Sequence, residues 1–403
     1  MDIIITPSQL NGKIRAINSK SQAHRMLICA AFSDKKTIIK CTDISQDITA
    51  TAECLNNIGA KIIRENDCFI VNPIKSIPKT ATIDCNESGS TLRFLLPVVC
   101  ALGIEATNIM HGRLPQRPLS PLWEELEKNG CTLKKENDRI YTKGILKAND
   151  YFLRADVSSQ FISGMLFAMP LINGNCSLTL TGSIESGSYI NLTLEVLKDF
   201  SIDIKENNGT YTLKNNYHTN KDFEVEGDWS NGAFWICADY LSNKKVACTG
   251  LLENSLQGAR KIVEILKSIK ERDTVVDAKD IPDLIPIISV CASLTPNHTT
   301  TVINAQRLRI KESDRIKQTH DMITNLGGEI IVTDDGLIIK GKPMLTGGRV
   351  DSANDHRIAM STAIASIKCE NEVYLYNAQA VSKSYPHFWE DFEKLGGKIR
   401  EVQ

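Results

Sequence analysis

Lysines, arginines and carboxylates recur in this chain at places where helices are expected to begin. The stretch INSKSQAHR at 17–25 sets Lys20 between two serines, with Arg25 on the next turn. A helix N-terminus already carries partial positive charge and favours Asp or Glu, so cations there ask for a reason. Arg93 follows GSTL at 89–92, where Gly89 lets a backbone approach a ligand closely. Arg117 falls in the proline-rich HGRLPQRPLSPL. RLRIKESDRIKQ at 307–318 gathers Arg307, Arg309, Lys311, Glu312, Asp314 and Arg315. NDHR at 354–357 brings His356 and Arg357 to another helix start, and Lys383 lies in SKSYPHFWEDF. Asp283 sits between two prolines at the head of an apolar run, DIPDLIPII.

Each of these has an ordinary reading. A lone Lys or Arg is usually a solvated surface charge. The 307–318 run could be a helix laced with i,i+4 ion pairs. Asp283 could be a helix N-cap, and His356 a capping partner. Taken together, at the starts of related helices, they describe an anion site. Helix N–H groups and guanidinium forks both recognise phosphate and carboxylate. Asp283 in apolar surroundings would have the setting of a general base. The chain has no GxxxxGK[ST], GxGxxG, GxSxG or HExxH. The expected ligands are therefore two small, multiply anionic substrates, with no metal and no cofactor.

The elements that must position these residues form a repeat. A helix end, a Gly or polar break, and two short strands around a turn recur at 55–72, 126–143, 197–214 and 323–340. The copy is truncated at 392–402 and faint at 266–280. The END, NNG and DDG segments supply the turn chemistry. Between copies, small polar residues open apolar helices near 20, 90, 159, 229, 281 and 355, the first four about 70 residues apart. Ala23, Met26, Leu27, Ala30 and Ala31 share one face of the first. The class is α/β, in six copies of one unit.

Composition narrows the function. The 403 residues are 42% hydrophobic and 24% charged, with net charge −1, which argues against nucleic-acid binding. The 12 cysteines contain no CxxC pair, which argues against structural zinc and a disulfide framework and for reduced thiols in the cytoplasm. MDIIITPSQL does not read as a signal peptide, and FLLPVVCALGI is too short to span a membrane.

SKSQAHR, ESGSTLRFLLP, RLPQRPLSPL, SSQFISGML, VEGDWS, IPDLIP, LRIKESDRI, NDHRIAM and SKSYPHFWEDF, in this order, resemble 5-enolpyruvylshikimate-3-phosphate (EPSP) synthase. The resemblance runs from residue 19 to 392 and is specific through the order and spacing of nine motifs. It implies the two-domain enolpyruvyl-transferase fold, with six βαβαββ repeats, three per domain, as an inside-out α/β barrel. The domains would be 15–221, on the shikimate 3-phosphate side, and 1–14 with 222–403, with the active site in the cleft between them.

The implied reaction transfers the enolpyruvyl group of phosphoenolpyruvate to the 5-hydroxyl of shikimate 3-phosphate, by addition and then elimination. By resemblance Lys20, Ser21, Arg25, Ser158, Ser159, Gln160, Ser186, Asp283 and Lys311 match shikimate 3-phosphate positions. Lys20, Gly89, Arg117, Gln160, Arg315, Arg357 and Lys383 match phosphoenolpyruvate positions. Asp283, Glu312 and Lys20 match catalytic ones. Arg93, Tyr189 and His356 stand behind them. A cytoplasmic monomer without nucleic-acid or membrane partners is implied as well.

The chain departs from the family at Asn18, where many members have Gly, and at Glu87 and Ser90, where others have Asn and Thr. It has Ala305-Gln306-Arg307 where some place an Asn contact. UDP-N-acetylglucosamine enolpyruvyl transferase shares the fold, but generally carries a Cys in the loop that reads HGRLPQRPLSPL here. A non-catalytic phosphate-metabolite binder would not need Asp283 and Glu312 together.

Overall fold

The computed structural model describes residues 1–214 and 216–402. The chain forms two compact units: Asn18–Val225, which is continuous, and Met1–Ile17 with Glu226–Gln403, which is not. Each has its own apolar core.

Three four-stranded sheets in the continuous unit repeat one topology. Thr80–Asp84 lies parallel to Glu105–Ile109. Arg139–Gly144 then pairs antiparallel to Glu105–Ile109, with Cys131–Glu136 at the edge. Asp150–Arg154, Ser177–Thr181, Thr210–Lys214 and Asp203–Asn207 form the same order. The third sheet takes its first strand from the end of the unit: Phe223–Glu224 pairs with Thr37–Lys40. The hairpins turn at Asn66, Asn137 and Asn208, all with φ near +50°. A tight hairpin turn requires that left-handed geometry and Asn tolerates it, which is why END and NNG recur.

The discontinuous unit repeats the pattern once in full, with Thr274–Asp277, Thr299–Ile303, Leu337–Lys340 and Glu329–Val332. Its second sheet takes in strands from both ends of the chain. Ile3–Thr6 pairs antiparallel with Val373–Tyr376 on one side and Lys398–Glu401 on the other. The sixth repeat is abbreviated: among the described residues it keeps only the parallel pair Gly12–Arg15 and Val246–Thr249. Segment 266–280, which reads as a faint hairpin copy, is instead the end of the helix Ile262–Glu271 and the strand Thr274–Asp277.

These pairings set where the chain crosses between units. Gly12–Arg15 pairs with Val246–Thr249, and Asp228 N donates to Ile17 O at 2.7 Å, so the first crossing falls after Ile17. Val225 N donates to Lys40 O at 2.9 Å, which holds the second until after Val225. The family resemblance implies crossings near 14 and 222.

The helices that carry the cations are buried on nearly all sides. Lys20–Phe32 buries every residue from Ala23 to Ala31, not one stripe, because helices pack on more than one flank. Gly89–Ala101 packs on Ser159–Ala168 so closely that a Cβ on Gly164 would overlap the Arg93 carbonyl. That contact fixes the spacing of the two helices. No helix of the described residues is long and apolar enough to cross a membrane.

Candidate active site

In the continuous unit, serines cap the helices at whose starts the cations lie. Ser19, Ser88 and Ser158 accept from Gln22 N, Thr91 N and Gln160 N. Ser158 is therefore a cap as well as a candidate binding residue. Lys20 Nζ lies 2.8 Å from Asp47 Oδ2, a partner the sequence does not flag.

Arg25 is almost fully buried. Its Nε donates to Thr193 Oγ1 at 2.8 Å, Nη1 to Ser21 O at 2.6 Å and Nη2 to Tyr189 O at 3.1 Å. The guanidinium also sits 5.0 Å from the Phe94 ring centroid, a cation–π geometry. Burial lowers its pKa to about 10, which still leaves it charged at neutral pH. Burial, reinforced by Lys20 and Arg25, keeps neighbouring His24 neutral. The local positive charge is thus carried by two residues, not three.

A second group meets around Gly89. Gln160 Oε1 accepts from Arg93 Nη1 at 2.8 Å, and Gln160 Nε2 donates to Ser90 Oγ at 2.9 Å. Arg93 Nη2 donates to Pro118 O at 3.2 Å and so ties down the loop that carries Arg117. A Cβ on Gly89 would lie 2.5 Å from Arg117 Nη1 and 2.8 Å from Arg93 Nη1. The glycine is there because two guanidinium groups already fill the space. Ser186 adopts the left-handed region, φ 55° and ψ 42°, at the start of Gly187–Asp199. A serine held there is strained, and such strain gathers at functional sites. Ser159, the first residue of Ser159–Ala168, is buried beside this group.

Asn18 now has a role. Its Nδ2 donates to Val225 O at 2.7 Å and its Oδ1 accepts from Asp43 N at 3.1 Å. The amide closes the entry of the continuous unit on its exit, which Gly could not do.

In the discontinuous unit the charged run at 307–318 is not one helix. Gln306–Ile310 is a 3-10 turn, 311–314 is irregular, and the helix Arg315–Asn325 starts after Asp314, its N-cap. The i,i+4 pairing expected for a helical run is replaced by a fan of carboxylates around Arg315. This guanidinium is 1% exposed. It meets Asp355 Oδ2 through Nε at 2.8 Å, Asp283 Oδ1 through Nη1 at 2.6 Å and Glu312 Oε2 through Nη2 at 2.7 Å. Burial opposes its charge, but Asp355, Glu312 and Asp283 outweigh that and raise its pKa further.

Asp283 lies in the 3-10 turn Pro282–Leu284, whose N-cap residue is Ile281, while Leu284 is the N-cap of the helix that follows, so Asp283 occupies neither N-cap position. Burial pushes its carboxyl up, yet Lys311, Arg315 and Arg357 together hold it well below the usual carboxylate range. Lys311 Nζ stands 3.8 Å from Asp283 Oδ1. Burial lowers the Lys311 ammonium to about 8, against the pull of Asp283 and Glu312.

Asp355 is the residue that sequence reading misses. It is fully buried, caps the helix His356–Ala365 by accepting from Arg357 N at 2.9 Å, and also accepts from Ser313 Oγ at 2.9 Å. The signal was present, since Asp355 precedes His356 at an N-cap position. His356 is buried with its Nδ1 4.0 Å from Asp355 Oδ1, and does not cap. Arg357 Nη1 donates to Ser230 O at 2.8 Å, and Lys383 Nζ to Asn354 O at 2.7 Å. Each unit thus presents several fixed cations at helix starts. The discontinuous one adds two carboxylates and an ammonium within reach of one another. That set can bind multiply anionic molecules and move a proton.

Comparison with known proteins gives a consistent answer. The family model for EPSP synthase (3-phosphoshikimate 1-carboxyvinyltransferase) matches residues 4–392. A 3-phosphoshikimate 1-carboxyvinyltransferase from Clostridium perfringens (strain 13 / Type A) is 40% identical over 422 aligned positions, covering 99% of each chain. The Clostridium botulinum (strain Eklund 17B / Type B) enzyme of the same name is 41% identical, with 98% of each chain covered. In three dimensions the fold is similar to EPSP synthase from Acinetobacter baumannii, with TM-score 0.80 at 21% identity, over 99% of this chain and 100% of that one.

Proposed function

This chain belongs to the EPSP synthase family and is a carboxyvinyl transferase, and from that premise we propose how its residues divide the work. The enzyme moves the enolpyruvyl group of phosphoenolpyruvate to the 5-hydroxyl of shikimate 3-phosphate and releases phosphate, by addition and then elimination through a tetrahedral intermediate. Ser21, Arg25, Ser158, Ser159, Gln160, Ser186 and Lys311 hold shikimate 3-phosphate. Lys20, Gly89, Arg117, Gln160, Arg315, Arg357 and Lys383 hold phosphoenolpyruvate. Arg93, Tyr189 and His356 support them from behind. The enzyme acts as a cytoplasmic monomer on free metabolites.

Asp283 takes the proton of the attacking hydroxyl, and Glu312 delivers one to the methylene carbon. The observation that carries this assignment is Asp283 itself, 2.6 Å from Arg315 and 3.8 Å from Lys311, at neither N-cap position. Its basicity is suppressed by the cations Lys311, Arg315 and Arg357. A phosphoenolpyruvate carboxylate on Arg315 and Arg357 sets a negative charge against those same cations. A unit charge roughly 6 Å away, at an effective dielectric of about 20, contributes ~3 kcal/mol, or roughly a hundredfold in basicity. Asp283 thus becomes more basic once the second substrate is in place. Preorganised Arg and Lys donors also stabilise charge on the departing phosphate.

The test is phosphate release from phosphoenolpyruvate with shikimate 3-phosphate or UDP-N-acetylglucosamine as acceptor. Release only with the former is expected. Asp283→Asn should bind shikimate 3-phosphate and lower kcat by about 10²–10⁴, the usual span of general base catalysis. Near-normal turnover in that variant would remove Asp283 from the role.

A further inference from the structure

We infer that Asn231 is a positioning residue for Lys383 and Arg357, which rests on the proposal that those two cations hold phosphoenolpyruvate. Asn231 lies in the first turn of the helix Trp229–Leu241 and is fully buried. Its backbone N–H donates to Asp228 Oδ1 at 2.8 Å, so the main chain there is fixed by the helix cap. Its side-chain Oδ1 accepts from Ser384 Oγ at 3.4 Å. Ser384 directly follows Lys383, the last residue of the turn Ala378–Lys383, and is itself buried.

The preceding residue does the corresponding work for Arg357. Ser230 O accepts from Arg357 Nη1 at 2.8 Å. One helical turn therefore contacts both cations, the arginine directly and the lysine through its neighbour. Lys383 Nζ in turn donates to Asn354 O at 2.7 Å, three residues before Arg357. The loop closes through Asn231, Ser384, Lys383, Asn354, Arg357 and Ser230. Its effect is to set the separation of an ammonium and a guanidinium, the quantity that selects a ligand with a carboxylate and a phosphate a fixed distance apart.

Stability alone does not account for an asparagine here. Asn231 Nδ2 is buried with no hydrogen-bond acceptor among the described residues, and Arg357 Nε is in the same condition. Unpaired buried donors are costly and rare, and each one needs a reason. A hydrophobic side chain would avoid the cost but would release the Lys383 turn.

The experiment measures steady-state kinetics for Asn231→Ala, Ser384→Ala, the double variant and Lys383→Ala, with each substrate varied in turn. The tie predicts that Asn231→Ala and Ser384→Ala each raise KM for phosphoenolpyruvate about threefold to tenfold, the range of one buried hydrogen bond. KM for shikimate 3-phosphate should stay within about twofold, and the double variant should be no worse than Asn231→Ala alone. A residue that only supports the fold would lower the active fraction and leave both KM values alone. If Lys383→Ala raises KM for phosphoenolpyruvate while Asn231→Ala and Ser384→Ala do not, the positioning role is overturned. If Lys383→Ala has no effect either, the assignment of Lys383 is wrong. Ser384→Ala removes a single hydroxyl, so it remains informative if Asn231→Ala does not fold.

Discussion

Asp355→Asn asks whether the carboxylate behind Arg315 is what builds the charged centre of the discontinuous unit. Asp355 Oδ2 accepts from Arg315 Nε at 2.8 Å and Ser313 Oγ at 2.9 Å. Its Oδ1 accepts from Arg315 Nη2 at 3.2 Å and Arg357 N at 2.9 Å. Asparagine has the same shape, but whichever way its amide turns, the NH2 faces two groups that were donating. Only Asp283 and Glu312 then remain as carboxylates facing the buried Arg315. Breaking a buried, hydrogen-bonded ion pair costs about 3–5 kcal/mol, and the N-cap bond from Arg357 N survives only with the amide oxygen on the Oδ1 side. Tighter pairing of Arg315 with the two remaining carboxylates offsets part of this, so about 3–5 kcal/mol is the expected loss. Urea unfolding followed by tryptophan fluorescence reads it. Of the 4 tryptophans, Trp229, Trp235 and Trp389 all lie in this unit. With a slope of about 3 kcal/mol/M, the midpoint should fall by ~1–1.7 M. KM for phosphoenolpyruvate should rise at least about tenfold as Arg315 and Arg357 lose their shared anchor. A midpoint within ~0.3 M of the unaltered protein, equivalent to less than about 1 kcal/mol, would refute the reasoning.

Two further outcomes follow from the same geometry. Lys311 is lowered to about 8 by burial, so the free enzyme loses this charge as pH rises through that value. At pH 9 about a tenth of the molecules keep it, and KM for shikimate 3-phosphate should stand about tenfold above its value at pH 7. Lys311→Arg should carry the break out of range; a flat profile to pH 9 would contradict the assignment. In the stability balance the sign is opposite. The folded value lies below that of the unfolded lysine, about 10.4, so the contribution of Lys311 to stability rises with pH across that window. Gly89→Ala should fold normally, because the atoms it meets are mobile guanidinium ends. Displacing Arg117 and Arg93 should nonetheless raise KM for phosphoenolpyruvate by about tenfold or more, roughly one charge-assisted hydrogen bond. An unchanged KM would mean those guanidinium groups do not hold that substrate.

The repeat and several of the candidate site residues are legible in the sequence because local rules write them. A turn needs a left-handed Asn or Gly within two residues, so Asn66, Asn137 and Asn208 announce their hairpins. A helix start needs a side-chain oxygen, so Ser19, Ser88, Ser158, Asp228 and Asp314 mark theirs. Cations beside such caps stand out against the helix dipole, which is how Lys20, Arg25, Arg93 and Arg357 come to notice.

Tertiary structure alone decided which charges meet. Lys20 finds Asp47 in the next helix, and Gln160 joins Arg93 to Ser90 across 70 positions of chain. Arg315 is surrounded by Asp283, Glu312 and Asp355, and this fan leaves 311–314 outside a helix that local pattern would have continued. The reason is range. Caps, turns and periodicity act over a few residues and are visible one segment at a time. A buried ion pair depends on burial and distance between segments, and those exist only once the cores have packed.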